Sequence, residues 1–146
     1  MRTWVRPDAL RREARVCGPG LVARFEALRG KGLACLIATG ETVVNVRGRG
    51  RGGRNQELAL SSVEALSRCS RPTVLAAFAT DGKDGNSEAS GGMVDDATAA
   101  RARSRGVSIR AALDRNHSSE ALKRLGGLII SGPTGTNVAD VTLVVG

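Results

Sequence analysis

Apolar and polar positions fall into short blocks along the chain, and most blocks read as one element each. Leu33–Ala38 is an unbroken apolar run, short enough for a buried strand. Thr42–Arg47 is rich in β-branched residues and predicts a second strand, with Gly40-Glu41 as the turn between them. Thr73–Ala79 is the clearest strand, and Gly127–Ile130 and Val141–Val145 give two more. Helical composition covers residues 8–29, interrupted at Gly18-Pro19-Gly20. It returns from Asn55 to about Cys69, where Glu57, Ser61, Glu64 and Arg68 form one polar stripe at helical spacing. Further helices are predicted near Asp95–Ser104, stopping at Gly106, and over Ser118–Leu125, with Val107–Ile109 as a weak strand between them. Strands interleaved with helices predict an α/β sheet with helices on both faces. At 146 residues the chain can close one core but not two, so residues 1–146 are expected to form a single domain.

The chemistry gathers in the loops that follow strands: Gly48–Gly53, Thr80 to about Gly92, and Ser131–Asp140. Ligands of open α/β sheets bind beyond the carboxyl ends of strands, so the three loops are expected to meet at one crevice.

Composition narrows what could bind there. Aromatics are limited to Trp4, Phe25 and Phe78, too few for the stacking platforms of single-stranded nucleic-acid readers. The net charge is +8, from 22 basic and 14 acidic residues. Such a surface attracts ATP and small carboxylates as well as nucleic acid. Three separated cysteines and one histidine, His117, offer neither a disulfide framework nor a zinc site. No apolar run reaches the roughly 20 residues of a membrane span, and the first residues lack the apolar centre of a signal peptide. A cytoplasmic protein is expected.

Gly48-Arg-Gly-Arg-Gly-Gly53 fits the G-x-G-x-x-G pattern after a strand and before a helix. The acidic residue that a dinucleotide site places about 20 positions later is missing, the nearest being Asp81. The plainer reading is an anion-binding loop, with close backbone approach, free helix N–H groups and the charges of Arg49, Arg51 and Arg54. A cation at the first turn, as Arg54 is, opposes the helix dipole and points to an anionic partner, while an exposed side chain in an arginine-rich chain would also account for it. Asn55 reads as an N-cap and Glu57 as a solvent-facing first-turn acid. Asp81, Asp84, Glu88, Asp95 and Asp96 cluster within one short segment. Asp81, at the end of a strand, and Asp84 are candidates for Mg²⁺ or for substrate hydroxyls, while Asp-Gly turns alone would also account for them. Ser131-Gly-Pro-Thr-Gly-Thr-Asn137 lacks the lysine of a P-loop, but its amides and hydroxyls can hold phosphate as a nest.

In order, Gly40-Glu41-Thr42, Gly52-Gly-Arg-Asn-Gln-Glu57, Thr80-Asp-Gly-x-Asp-Gly85 and Gly132-Pro-Thr-Gly-Thr-Asn-Val138 resemble the MOFRL domain. This is the C-terminal domain of glycerate 2-kinases, a family also named for hydroxypyruvate reduction. The resemblance runs from about residue 8 onward. It implies a three-layer α/β/α domain with a mixed, mostly parallel sheet. It implies ATP and Mg²⁺ as cofactors, and D-glycerate as acceptor giving 2-phosphoglycerate. It implies a cleft shared with an N-terminal glycerate kinase domain that these residues do not include, as a separate chain or missing. Arg54 maps onto the family's proposed catalytic arginine, whose companion lysine comes from the other domain. On the kinase reading, Gly52, Gly53, Asn55, Thr80, Asp81, Gly132, Thr134, Gly135, Thr136 and Asn137 are expected to hold substrate or phosphate, and Asp81 and Asp84 to hold Mg²⁺ or the substrate hydroxyls. The family's Asn-Asp is Asn116-His117 here. A nicotinamide-dependent reductase of hydroxypyruvate and a non-catalytic anion- or nucleotide-binding module are the alternatives.

Overall fold

A computed structural model describes residues 1–146. The chain forms six strands and six helices. In order they are β1 (Arg2–Val5), α1 (Ala14–Leu28), β2 (Ala34–Thr39), α2 (Arg54–Ser61), α3 (Val63–Leu66), β3 (Val74–Ala79), β4 (Gly91–Asp95), α4 (Thr98–Ser104), α5 (Ile109–Asp114), α6 (Ser118–Leu125), β5 (Leu128–Ile129) and β6 (Asp140–Val145). The strands make one sheet in the order β1-β2-β6-β3-β4-β5.

The α/β class holds, but the mostly parallel sheet does not. Only β1 and β2 run parallel, and the other four pairings are antiparallel. No helix separates β3 from β4, so the Thr80–Ser90 loop brings the chain straight back beside β3. β6 then enters between β2 and β3, opposed to both. Gly91–Asp95 is a strand where loop and helix start are predicted, because Gly91 fits against the backbone of Ala77 and Phe78, where any side chain would collide.

Helices on both faces are not found either. Leu36, Val144, Leu75 and Val94 form one row across the sheet by register. They join the helices in a single core cluster with Leu21, Phe25, Leu58, Val63 and Leu122. The alternate row of Ile37, Leu143, Ala76 and Met93 belongs to no part of that core. The chain is therefore a two-layer structure, with its helices on one side of the sheet.

Other departures have local causes. α1 runs unbroken through Pro19, and Gly18 before it packs directly on the Leu58 carbonyl and the Ser62 hydroxyl, where a Cβ would collide. Thr42–Arg47 is not a strand of the sheet; its only bridge is an isolated one from Val43 to Glu13, at the start of α1. Val107–Ile109 is not a strand. Ser108 caps α5, its hydroxyl accepting from the Ala111 amide at 3.2 Å. No helix is long and apolar enough to cross a membrane.

Candidate functional site

The three loops adjoin at one end of the sheet, but they do not share one crevice: no residue of Ser131–Asp140 lines the hollow beside them. The Gly52 amide donates to Asn86 Oδ1 at 2.8 Å, and the Asn86 amide returns a bond to the Gly52 carbonyl at 3.2 Å. On the other side, the Thr134 hydroxyl bonds the Thr80 carbonyl, and the Val138 amide donates to Thr80 Oγ1 at 2.9 Å. The Thr80–Ser90 loop thus braces both neighbours.

Beside it lies a hollow of about 550 Å³, lined by Thr42, Val44, Gly53, Arg54, Glu57 and Asn116 among others. Arg54 begins α2 and is about one-third exposed there. Its Nε donates to Asp140 Oδ2 at 2.5 Å and its Nη2 to Asp140 Oδ1 at 3.1 Å, a two-pronged grip. Glu41 stands 3.6 Å from the same Nη2. These bonds to the Asp140 carboxylate hold the guanidinium above even its usual high range. The anionic partner that this position calls for is thus, first of all, the chain's own Asp140. Nη1 is left without a partner in the chain. Asp140 is buried at the start of β6. Ala139 before it has φ of 68°, a left-handed conformation strained for a residue with Cβ. Bonds from Ala139 N to Asn137 Oδ1 and from Thr80 Oγ1 to Ala139 O hold that turn.

Asp84 departs from its metal reading. It is buried, and its two carboxylate oxygens accept from the Asn55 amide (3.1 Å), the Gln56 amide (2.9 Å) and Gln56 Nε2 (3.0 Å). Burial raises its pKa against the pull of these bonds. It caps α2, which leaves no open coordination. Gly53 is glycine because a Cβ there would strike this carboxylate. The anion-binding loop is corrected with it: an internal carboxylate already fills the N-terminus of α2. Gly48 and Gly50 pack against the Arg115 and Asn116 carbonyls, where a Cβ would also collide. The glycines of the G-x-G-x-x-G pattern therefore serve contacts within the chain.

Asn55 is buried as well, its Nδ2 3.3 Å from Asp84 Oδ1, so it belongs to the same cap. Glu57, predicted to face solvent, is fully buried. It accepts from Arg15 Nε at 2.7 Å and Asn116 Nδ2 at 3.1 Å. Asn116 Oδ1 in turn accepts from the Arg47 and Gly48 amides, which ties the end of the Thr42–Arg47 segment to α2. Asp81 is exposed at the end of β3, its Oδ1 engaged only by the Lys83 amide at 3.0 Å. No three acidic, histidine or cysteine side chains gather as a cation cage. A single open carboxylate still suits Mg²⁺, which keeps several waters and shares substrate phosphates. Thr134, Gly135, Thr136 and Asn137 are exposed and Gly132 partly so; Gly132 and Gly135 adopt φ of 69° and 75°.

The sequence reading missed Asp140 and Asn116 as site residues. A carboxylate opening an aliphatic strand was the available signal for the first. The second showed only as the asparagine of the Asn116-His117 match, because its role depends on a left-handed turn, at φ of 51°, meeting a distant loop.

Comparison with known proteins places this arrangement. The D-glycerate 2-kinase of Thermotoga maritima is 50% identical over 110 residues, which are 75% of this chain and 26% of that protein. The glycerate 2-kinase of Pyrococcus horikoshii is 42% identical over 111 residues, 75% of this chain and 25% of that protein. The crystal structure of glycerate kinase from Thermotoga maritima superposes with a TM-score of 0.90 at 41% identity, covering 97% of this chain and 35% of that one. The chain thus spans about a quarter to a third of the length of these relatives. The profile of the MOFRL family matches residues 34–140, most of the length, and the chain belongs to the MOFRL family.

Proposed function

We propose that the chain is the C-terminal domain of a cytoplasmic glycerate 2-kinase and supplies one wall of the cleft in which ATP phosphorylates D-glycerate to 2-phosphoglycerate. One observation carries this reading: Arg54 lines the hollow, gripped on one edge by buried Asp140, with Nη1 uncommitted. Phosphoryl transfer depends on positioning and on neutralising spread-out negative charge more than on covalent chemistry. A guanidinium fixed before the substrate arrives supplies both without reorganising. Asp81 would hold Mg²⁺, which when bound neutralises charge on the phosphate oxygens. The amides and hydroxyls of Gly132, Thr134, Gly135, Thr136 and Asn137 would line the phosphate side, braced by their bonds to Thr80. An N-terminal glycerate kinase domain would supply the facing wall.

The test is Arg54→Ala in a two-domain enzyme carrying this chain. Turnover should fall about 10²–10³-fold, with the fold intact. Arg54→Lys should rescue poorly, because the fork that matches Asp140 is lost. Arg68→Ala, on an exposed side chain paired only with Glu64, should change little. NADH oxidation with hydroxypyruvate, without phosphate transfer from ATP to glycerate, would replace the kinase with a reductase.

A further inference from the structure

The face of the sheet turned away from the helices is apolar and uncovered. In register it carries Cys35, Val145 and Val74 in one row, then Ile37, Leu143, Ala76 and Met93, then Val141 and Phe78. Val5, beside Ile37, is 66% exposed and Met93 is 49% exposed. None of these side chains belongs to the core cluster; Cys35 is buried between its neighbours, and the others apart from Val5 and Met93 are half-buried. Soluble monomers rarely leave a contiguous apolar patch of more than a few hundred Å² open to water. At ~4.8 Å per strand and ~3.4 Å per residue, this face measures roughly 400 Å².

We infer that this face is a docking surface for a layer of aliphatic helices. Its occupant is the polypeptide that makes up the rest of the longer glycerate kinase, which rests on reading the chain as one part of such an enzyme. Two observations choose it over a second copy of the chain. The first is area. A stable association of separate chains buries about 800 Å² on each partner, about twice what this face offers. A neighbour tethered in the same polypeptide needs less, since domain contacts within one chain run from about 600 Å² in total. The second is continuity. The row of Val141 and Phe78 adjoins Asp140 and Ala79 at the site end of the sheet. There Ile130, Val138, Val43 and Val46 are all more than half exposed. Val43 and Val46 also line the hollow, on the side where the proposed cleft needs its second wall. One neighbour can cover both. The same fold occurs at a TM-score of 0.90 in a solved glycerate kinase of which it makes up 35%, so nearly two-thirds of that chain is left to provide it.

The chemistry asks for an uncharged partner surface. Apart from Asp95 at the rim, held by Arg101 at 2.9 Å, the face offers no charge to pair with. Its occupant should present leucine- and alanine-rich helix faces rather than a basic or acidic patch.

The test places a thiol on the face with Met93→Cys and follows maleimide labelling at that position. One arm is the isolated chain; the other is the chain in place of the matching domain of the Thermotoga kinase. Labelling should be fast in isolation and at least tenfold slower in the chimaera. Leu143→Glu should restore fast labelling in the chimaera while leaving the melting temperature of the isolated chain unchanged, which separates lost docking from lost folding. Equal labelling in the two settings would overturn the inference. So would labelling of the isolated chain that slows as its concentration rises, because a second copy would then cover the face. An isolated chain that stays monomeric and gives no fluorescence with an apolar-surface dye, with or without Leu143→Glu, would overturn it even if the chimaera were insoluble. Phosphorylation of glycerate by a chimaera whose Met93→Cys thiol stays open would keep the kinase and sink the docking face. A protected thiol without activity would do the reverse.

Discussion

Arg54 is held by one residue above all. Asp140 takes two of its donors, so the direction of the remaining edge is set by a carboxylate that never needs to touch substrate. Asp140→Asn should keep one bond and lose the fork. In a two-domain enzyme, turnover is expected to fall about 10–10²-fold, the scale of a small misplacement, with the Michaelis constants little changed. Steady-state kinetics with glycerate and with ATP would check this. An unchanged turnover alongside a lower melting temperature would mean that Asp140 serves only to close the sheet end. The arginine was legible in the sequence because a cation at a helix start contradicts the dipole and so demands an anion. Which anion was not legible, because Asp140 lies 86 positions away and only the sheet brings it near. Asp84 misled for the opposite reason: an acid in a Gly-rich loop looks the same in sequence whether it faces a metal or a helix end.

At the scale of elements, α2 is anchored by Asp84 at its start and α4 by Asp95. The two acids should respond to pH in opposite directions. Burial raises the Asp84 pKa, so the folded chain holds that proton more tightly than the unfolded one. Its contribution to stability therefore falls as pH rises from the ordinary aspartate value of about 3.9 up through the raised one. For Asp95, burial also pushes upward, but bonds from Arg101 and Thr98 outweigh it and the net shift is downward. That stabilisation is present above about pH 3.9 and is lost as pH falls through the lowered value. Asp95→Asn should therefore cost stability near neutrality, and the cost should shrink as urea unfolding is repeated from about pH 5 to about pH 2. A cost constant across that range would show that the ion pair contributes nothing. Asp84→Ala should cost ~2 kcal/mol at neutral pH, from a lost cap and amides left unpaired. The elements themselves were largely legible. Strands such as Val74–Ala79 and helices such as Ser118–Leu125 follow from apolar runs and periodicity. Gly91–Asp95 was not legible, because a strand beginning with two glycines announces itself only through the neighbour it fits. Nor was the hand of the pairings, since periodicity says where a strand lies and nothing about which way its neighbour runs.

For the whole molecule, the expected outcome is a chain that folds alone and does not catalyse. One contiguous core joins the helices to one face of the sheet, which is enough to close the structure. On the proposed reading the chain supplies one wall of the cleft, so the charges of the hollow would stay screened by water and the substrate would not be oriented. Purified chain with ATP, Mg²⁺ and glycerate should give no 2-phosphoglycerate above background in a coupled assay, although weak nucleotide binding is compatible with the hollow. Steady turnover that Arg54→Ala abolishes would mean the domain is self-sufficient. The position of β6 carries a further consequence, for the order of assembly. This strand is the latest in sequence, yet it lies in the middle of the sheet, bonded to β2 on one side and β3 on the other. While a ribosome is still making the chain, the β1-β2 pair and the β3-β4-β5 group can form only as separate pieces with unpaired edges. They join when Asp140–Val145 emerges, across the long loops that such distant pairing must close, which makes folding slow. Until then the nascent chain exposes strand edges to its neighbours. The strand that brings Asp140 to Arg54 is thus also the one that completes the fold, so the pair can form only in a chain that has closed its sheet.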